Sequence, residues 1–238
     1  MAKVRDNDVL VTWTIIALKS PSEAKSRLRP HCTEEERRGL YFLMARQVLL
    51  ALLAVPAIEQ VLAVTASDEV AKFVTDLGGS VVRQAQDRGA QAAFAHALQV
   101  VMHGDVPPPG RLLMIPGDLP LITAVAVSEL LDRCHQRQGV AIIPDQRQRG
   151  TNGLVCSPPN AVEPGFGEDS LRRHWSAARA RGHEVQVLES PALSLDIDDH
   201  ADLVLLYERL AFSAESDRHA GLSDWLDGYF SRIASPVE

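Results

Sequence analysis

Short apolar runs alternate along this chain with longer stretches in which apolar residues recur at helical spacing. Val9 to Leu18, Gln60 to Thr65, Ser80 to Arg83, Leu112 to Ile115, Val140 to Pro144, Leu154 to Cys156 and Glu184 to Leu188 are each of strand length, and most are rich in branched or apolar side chains and bounded by polar or turn-forming residues. Thr33 followed by Glu34, Glu35 and Glu36 is a capping box that starts a helix running to about Leu53. Further helices are predicted over Asp68 to Leu77, closing at Gly78 and Gly79, and over Ala90 to Met102. Thr123 caps another, whose Val127, Leu130, Leu131 and Cys134 share one face. The run from Gly165 to Ser170 opens a helix through about Arg181, and a last one spans His200 to Phe212. This order of strand and helix predicts an α/β fold, a single domain with a mostly parallel, Rossmann-like sheet and helices on both faces. The division expected is a body over 1–212 and a tail over 213–238. In the tail Leu222, Trp225, Leu226, Tyr229, Phe230 and Ile233 follow helical spacing, which reads as a helix docked on the body or, alternatively, as a homodimer contact.

The chemistry is expected at the ends of strands. The run Leu112 to Ile115 stops at Pro-Gly with Asp118 directly behind, and open α/β sheets bind ligands outside the carboxyl ends of their strands. A second short apolar segment ends in Asp196, Ile197 and Asp198, and period-two alternation puts both aspartates on one side. Carboxylates so placed repel unless a cation sits between them, and a hard ion such as magnesium is the usual resolution where phosphates are handled. Asp118 at one strand end with Asp196 and Asp198 at another therefore reads as a metal site; Asp118 alone also reads as the start of a turn, and a lone D-x-D is weak evidence for a metal. The loop after the first strand carries Lys19, Lys25, Arg27 and Arg29 against one acid, Glu23. Four cations there suit a triphosphate, with Lys25 and Arg27 on its terminal phosphates, and equally describe a solvated basic surface.

Composition narrows the classes. A formal charge of −7 argues against a general nucleic-acid binder. Cys32, Cys134 and Cys156 show no paired spacing, so neither a disulfide framework nor a zinc site is indicated, and a reducing cytoplasm fits. The apolar run from Val48 to Ile58 is too short to cross a bilayer and contains Pro56, so no membrane partner is expected. There is no Walker A lysine loop, no G-x-S-x-G elbow and no paired His/Cys nucleophile, and Gly165-Phe-Gly167 lacks the third glycine of a dinucleotide fingerprint.

Taken together, AKSRL at Ala24 to Leu28, PGDLP at Pro116 to Pro120, GTN at Gly150 to Asn152, FGEDS at Phe166 to Ser170 and LDID at Leu195 to Asp198 resemble the guanylyltransferases of deazaflavin coenzyme F-420 biosynthesis. Those enzymes are similar in turn to the small nucleotidyltransferases of the molybdenum-cofactor type. The resemblance covers roughly Val11 to Leu210. It implies a nucleotidyltransferase-type sheet and transfer of GMP from GTP onto the phosphate of a three-carbon phospho-acid, with release of pyrophosphate. The acid would be 2-phospho-L-lactate, phosphoenolpyruvate or 3-phospho-D-glycerate. It further implies Mg2+ held by Asp118, Asp196 and Asp198, and an acceptor contacted by Thr151, Gly167 and Ser170. Two departures stand out. Where the family commonly has G-L-N-A-A this chain has Gly89, Ala90, Gln91, Ala92 and Ala93, and the tail beyond Leu210 is longer than usual. Competing functions are another cofactor or sugar nucleotidyltransferase and a non-catalytic nucleotide-binding regulatory domain; the presence of all three aspartates with Lys25 and Arg27 favours an enzyme.

Overall fold

The computed structural model of the chain describes residues 10–134, 138–211 and 219–234. Its strands are β1 (Thr12–Ala17), β2 (Ile58–Thr65), β3 (Ser80–Arg83), β4 (Arg111–Pro116), β5 (Gly139–Pro144), β6 (Thr151–Ser157) and β7 (Val185–Val187). They form one sheet in the order β3-β2-β1-β4-β6-β5-β7, parallel throughout except for β6, which runs antiparallel to both β4 and β5. In register, Ala17 lies opposite both Val64 and Pro116, so β1, β2 and β4 end level with one another. Because β6 is reversed, it brings its first residues, Thr151 and Asn152, to the edge where its neighbours bring their last.

The helices are α1 (Glu34–Leu53), α2 (Asp68–Asp76), α3 (Ala90–His103), α4 (Ala124–Arg133), α5 (Ser170–Ala180), α6 (Pro191–Ser194), α7 (His200–Ala211) and α8 (Ala220–Ala234). Alternation along the strands decides which side they cover. Ile16, Leu113, Ile115 and Ile143 point to the face packed by Val48 and Leu49 of α1, Val70 of α2 and Val127 of α4. Trp13, Ile15, Met114 and Ile142 point to the other, against Phe94 and Leu98 of α3 and Ala178 of α5. Helix starts follow the sequence signals: the Glu36 amide donates to the Thr33 hydroxyl at 3.2 Å and the Thr33 amide to the Glu36 carboxylate at 2.7 Å, the reciprocal box expected.

Leu222, Leu226 and Tyr229 of α8 are buried with Leu40, Met44, Leu203 and Leu206 in a third apolar cluster, while Ile233 stays exposed. Side chains of that size each contribute about 1.5–3 kcal/mol when fully buried, so the apolar stripe is used mainly on its own chain. The three cysteines are free and buried; burial pushes the Cys134 thiol up to about 11 and that of Cys156 to about 12. No described helix is long and apolar enough to cross a membrane.

One expectation is corrected: Asp196 and Asp198 do not end a strand. Pro191 opens the single turn of α6, and residues 195–199 follow it as irregular chain. The alternation survives without a ladder, since Leu195 and Ile197 are fully buried and Asp196 and Asp198 only partly so. The backbone is satisfied by side chains and loops instead. The Asn152 amide donates to the carbonyls of Leu193 and Ser194, the Gln146 backbone N–H donates to Ser194, and Lys25 donates to Ile197.

Candidate active site

The loop after β1 folds back over the strand ends. Its entry is fixed by the Asp87 carboxylate, which accepts from the backbone N–H groups of Ser20 and Gly89, and by the Tyr41 hydroxyl, which donates to the Lys19 carbonyl at 2.7 Å. The phenol of Tyr41 is pushed up by burial and then by the carboxylates of Asp118 and Asp87, which places both acids close to it. Lys25 has a left-handed backbone (φ 54) just ahead of a one-turn 3-10 helix, Ser26–Leu28. Such a conformation is uncommon outside glycine. Here it accompanies a side chain that runs inward, only 6 % exposed, to donate to the Asp118 carboxylate and the Ile197 carbonyl. Gly117 packs closely where β4 leaves the sheet: a Cβ there would lie 2.2 Å from Cδ2 of the buried Leu18, which would have to shift. Lys19 and Arg27 are exposed, and Arg27 donates to Asp198 at 3.0 Å.

Asp196 lies close enough to Asp118 to feel its charge. Burial first, then the charge of Asp118 and more weakly that of Asp198, pushes its carboxyl up to about 6, against a hydrogen bond from Asn152 at 3.2 Å that lowers it. The turn that presents Asp198 is held by Asp202, one of whose carboxylate oxygens accepts from the backbone N–H groups of Asp198 and Asp199 at 2.8 and 3.0 Å. Its other oxygen accepts from Gln146 and Arg147. Three mutually repelling carboxylates, one raised above its ordinary range, are a donor set suited to a hard cation. Among the described residues, however, no three His, Cys, Asp or Glu side chains already converge on one ion position. The neighbouring positive charges are those of Lys25, Arg27 and, acting on Asp196 from the Asp202 side, Arg147.

At the same edge of the sheet, the turn from Asp145 to Gly150 meets the start of α5, the Arg149 guanidinium donating to Asp169 at 2.9 Å. Thr151 and Ser170 are both buried; the Thr151 hydroxyl meets His174 Nδ1 at 3.0 Å, and the Ser170 hydroxyl has no partner. Gly167 is exposed with φ 119, a conformation that strains any residue with a Cβ. The opening turn of α5 has few free backbone donors. The Ser170 amide already donates to Gly167 and the Leu171 amide to Arg149, so the side-chain hydroxyls carry more of the donor capacity.

Lys25, Arg27, Asp118, Asp196 and Asp198 are thus brought together, Thr151, Gly167 and Ser170 gather around the β5–β6 turn and the start of α5, and Lys19 is exposed at the start of the basic loop. Asn152, Asp202, Asp87 and His174 were not singled out as site residues. Asp202 had a signal, the Asp199-x-x-Asp202 spacing of a capping box; a buried histidine on a polar helix had none.

Comparison with known proteins gives consistent results. A family model described as "Guanylyl transferase CofC like" matches residues 12–211. A phosphoenolpyruvate guanylyltransferase of Sphaerobacter thermophilus is 33% identical over 211 residues, covering 87% of this chain and 98% of the relative. A 2-phospho-L-lactate guanylyltransferase of Methanothermobacter thermautotrophicus is 32% identical over 192 residues, 81% of this chain and 82% of the relative. Among solved structures, a protein assigned as a nucleotide-diphospho-sugar transferase from Desulfovibrio desulfuricans G20 superposes with a TM-score of 0.70 at 19% identity, covering 92% of this chain and 97% of that one, and so shares its fold.

Proposed function

Because this chain belongs to the CofC-like guanylyl transferase family, we propose that it transfers GMP from GTP to the phosphate of a three-carbon phospho-acid and releases pyrophosphate. The observation that carries this reading is the meeting, at one sheet edge, of the Lys25 ammonium with Asp118 and the backbone of Ile197, flanked by Arg27 on Asp198. That arrangement unites the basic loop with the acidic residues from two distant segments, as a triphosphate site requires. The names of the two relatives support phosphoenolpyruvate or 2-phospho-L-lactate as the acceptor, and 3-phospho-D-glycerate belongs to the same chemical class.

In this scheme an oxygen of the acceptor's phosphate attacks the α-phosphorus of GTP. The new P–O bond forms as the bond from the α-phosphorus to the bridging oxygen breaks, and the departing electron pair leaves with pyrophosphate. Lys25 and Arg27 hold the β and γ phosphates and offset the charge that grows on the leaving group. Lys19, exposed at the mouth of the loop, adds a point charge for incoming phosphates. Asp118, Asp196 and Asp198 would hold Mg2+, which supplies charge neutralisation and alignment of phosphate oxygens when bound. Asn152 keeps Asp196 oriented, and Asp202 keeps the turn bearing Asp198 in place. Thr151, Gly167 and Ser170 hold the acceptor, the hydroxyls as donors and Gly167 by letting the backbone approach closely. No protein nucleophile is needed, which agrees with the buried, unreactive state of Cys134 and Cys156.

The test offers a panel of nucleoside triphosphates with each of the three phospho-acids and measures pyrophosphate. GTP with at least one of the acids should release it, dependent on magnesium; release from another triphosphate alone, or from none, refutes the assignment.

A further inference from the structure

One buried group on α5 has no part in the chemistry above. His174 is 1% exposed, stands one turn beyond Ser170 on the same helix face, and has Phe166 edge-on at 5.2 Å. The backbone N–H of Gly165 points at its Nε2 from 2.7 Å. A backbone N–H can only donate, so Nε2 is the bare, accepting nitrogen. A neutral imidazole with Nε2 bare carries its proton on Nδ1. Nδ1 lies 3.0 Å from the Thr151 hydroxyl oxygen, which is therefore the acceptor in that contact. Thr151 makes no other side-chain hydrogen bond among the described residues, so its own hydrogen is left for a partner outside this network. Burial, followed by the charge of Arg173, pushes the imidazole down to about 4, which keeps it neutral near pH 7.

We infer that His174 is a positioning residue: by donating Nδ1–H to Thr151 it fixes the Thr151 hydroxyl as a donor to an anionic oxygen of the phospho-acid. The inference rests on the placement of the acceptor at Thr151, Gly167 and Ser170. The hydrogen bonds run in one direction, from the Gly165 amide through the imidazole to Thr151 and on to the ligand, so each strengthens the next. Without His174 the Thr151 hydroxyl rotates freely between donating and accepting. An anion can use only the donor, so the cost falls on the acceptor and not on GTP.

Nitrogen-15 NMR of the unaltered protein reads the tautomer without any substitution. The expected result is a protonated Nδ1 and a bare Nε2; an Nε2–H tautomer overturns the inference. In kinetics, His174→Leu removes the donor and keeps an apolar side chain. It should raise the acceptor's KM about tenfold, the usual scale for a lost hydrogen bond to a charged group, with the KM of GTP within about twofold. His174→Asn keeps an N–H near the Nδ1 position and should restore most of the loss. Thr151→Val combined with His174→Leu should be no worse than Thr151→Val alone. If Thr151→Val raises the acceptor's KM and a folded His174→Leu does not, the positioning role is wrong. Should leucine prevent folding, the tautomer and the asparagine variant decide. If Thr151→Val leaves the acceptor's KM unchanged, the acceptor pocket itself has been misplaced and the role given to His174 falls with it.

Discussion

Lys25 and Asp118 lie 93 residues apart in sequence and form an ion pair in which the lysine side chain is 6% exposed and the aspartate 26%. The same ammonium donates to the Ile197 carbonyl, so a single side chain joins the loop after β1, the end of β4 and the turn before α7.

Asp118→Asn removes the charge opposite a buried ammonium. The variant should lose roughly 2–3 kcal/mol of stability in denaturant unfolding, toward the low end for breaking a buried pair because Asp118 is partly solvated, and should lose transfer activity altogether. Arg27→Ala is the contrast. Arg27 and Asp198 are 68% and 48% exposed, so the loss of their pair should cost less than about 1 kcal/mol while slowing turnover with GTP at least tenfold. Unchanged GTP kinetics for Arg27→Ala would mark the basic loop as a solvated surface.

Magnesium should bind the protein alone, measured by calorimetric titration, and Asp198→Asn should weaken that binding at least tenfold. A chelator should abolish turnover of the parent enzyme. Full activity in a chelator, or equal magnesium affinity in the variant, would remove the three aspartates from the metal site.

Ser170 offers a clean separation of stability from function. Its hydroxyl is buried without a partner, so Ser170→Ala should leave the unfolding midpoint unchanged or slightly raised, while the acceptor's KM rises about tenfold. Gly167→Val should impair the acceptor more strongly, because φ 119 strains a branched residue. An effect of either variant confined to GTP would place the acceptor elsewhere.

His174 also predicts a pH dependence of stability. Its folded pKa, about 4, lies below the ordinary 6.5, so between those values the unfolded chain binds the extra proton. Its contribution is therefore fully present above about pH 6.5 and is lost as pH falls toward 4, on the order of 3 kcal/mol across that window. Subtracting the pH profile of His174→Leu from that of the parent, both by urea unfolding, isolates the term. A flat difference would mean that the imidazole is not held neutral by burial.

The strands, the caps of α1 and α4 and the mostly parallel sheet were legible because period-two and helical spacings are local properties of the chain. Asp118 was legible for a similar reason, since a carboxylate behind an apolar run and Pro-Gly marks a strand end. The segment carrying Asp196 and Asp198 was misread as strand-like. Its alternation is real, but Pro191 turns the chain and side chains such as Asn152 take over the role of a ladder, which no local pattern announces. The ion pair of Lys25 was hidden for the same reason: spacing reveals four cations in a loop and cannot show which one turns inward. His174 lay beyond sequence reasoning altogether, because its role depends on which of its two nitrogens faces a backbone amide.

The reversal of β6 has a consequence for how such a site can diversify. The elements proposed to grip the nucleotide come from the β1 loop, the end of β4 and the turn before α7, whereas the proposed acceptor wall comes from the β5–β6 turn and the opening of α5. One antiparallel strand slotted between β4 and β5 lets a separate stretch of chain reach the proposed triphosphate site without threading through it. The proposed acceptor residues Thr151, Gly167 and Ser170 can then change independently of the β1 loop, while Gln146, Arg147 and Asn152 of the same stretch are held by their bonds to Asp202 and Asp196. A family that serves different three-carbon acids on one scaffold needs that kind of modularity.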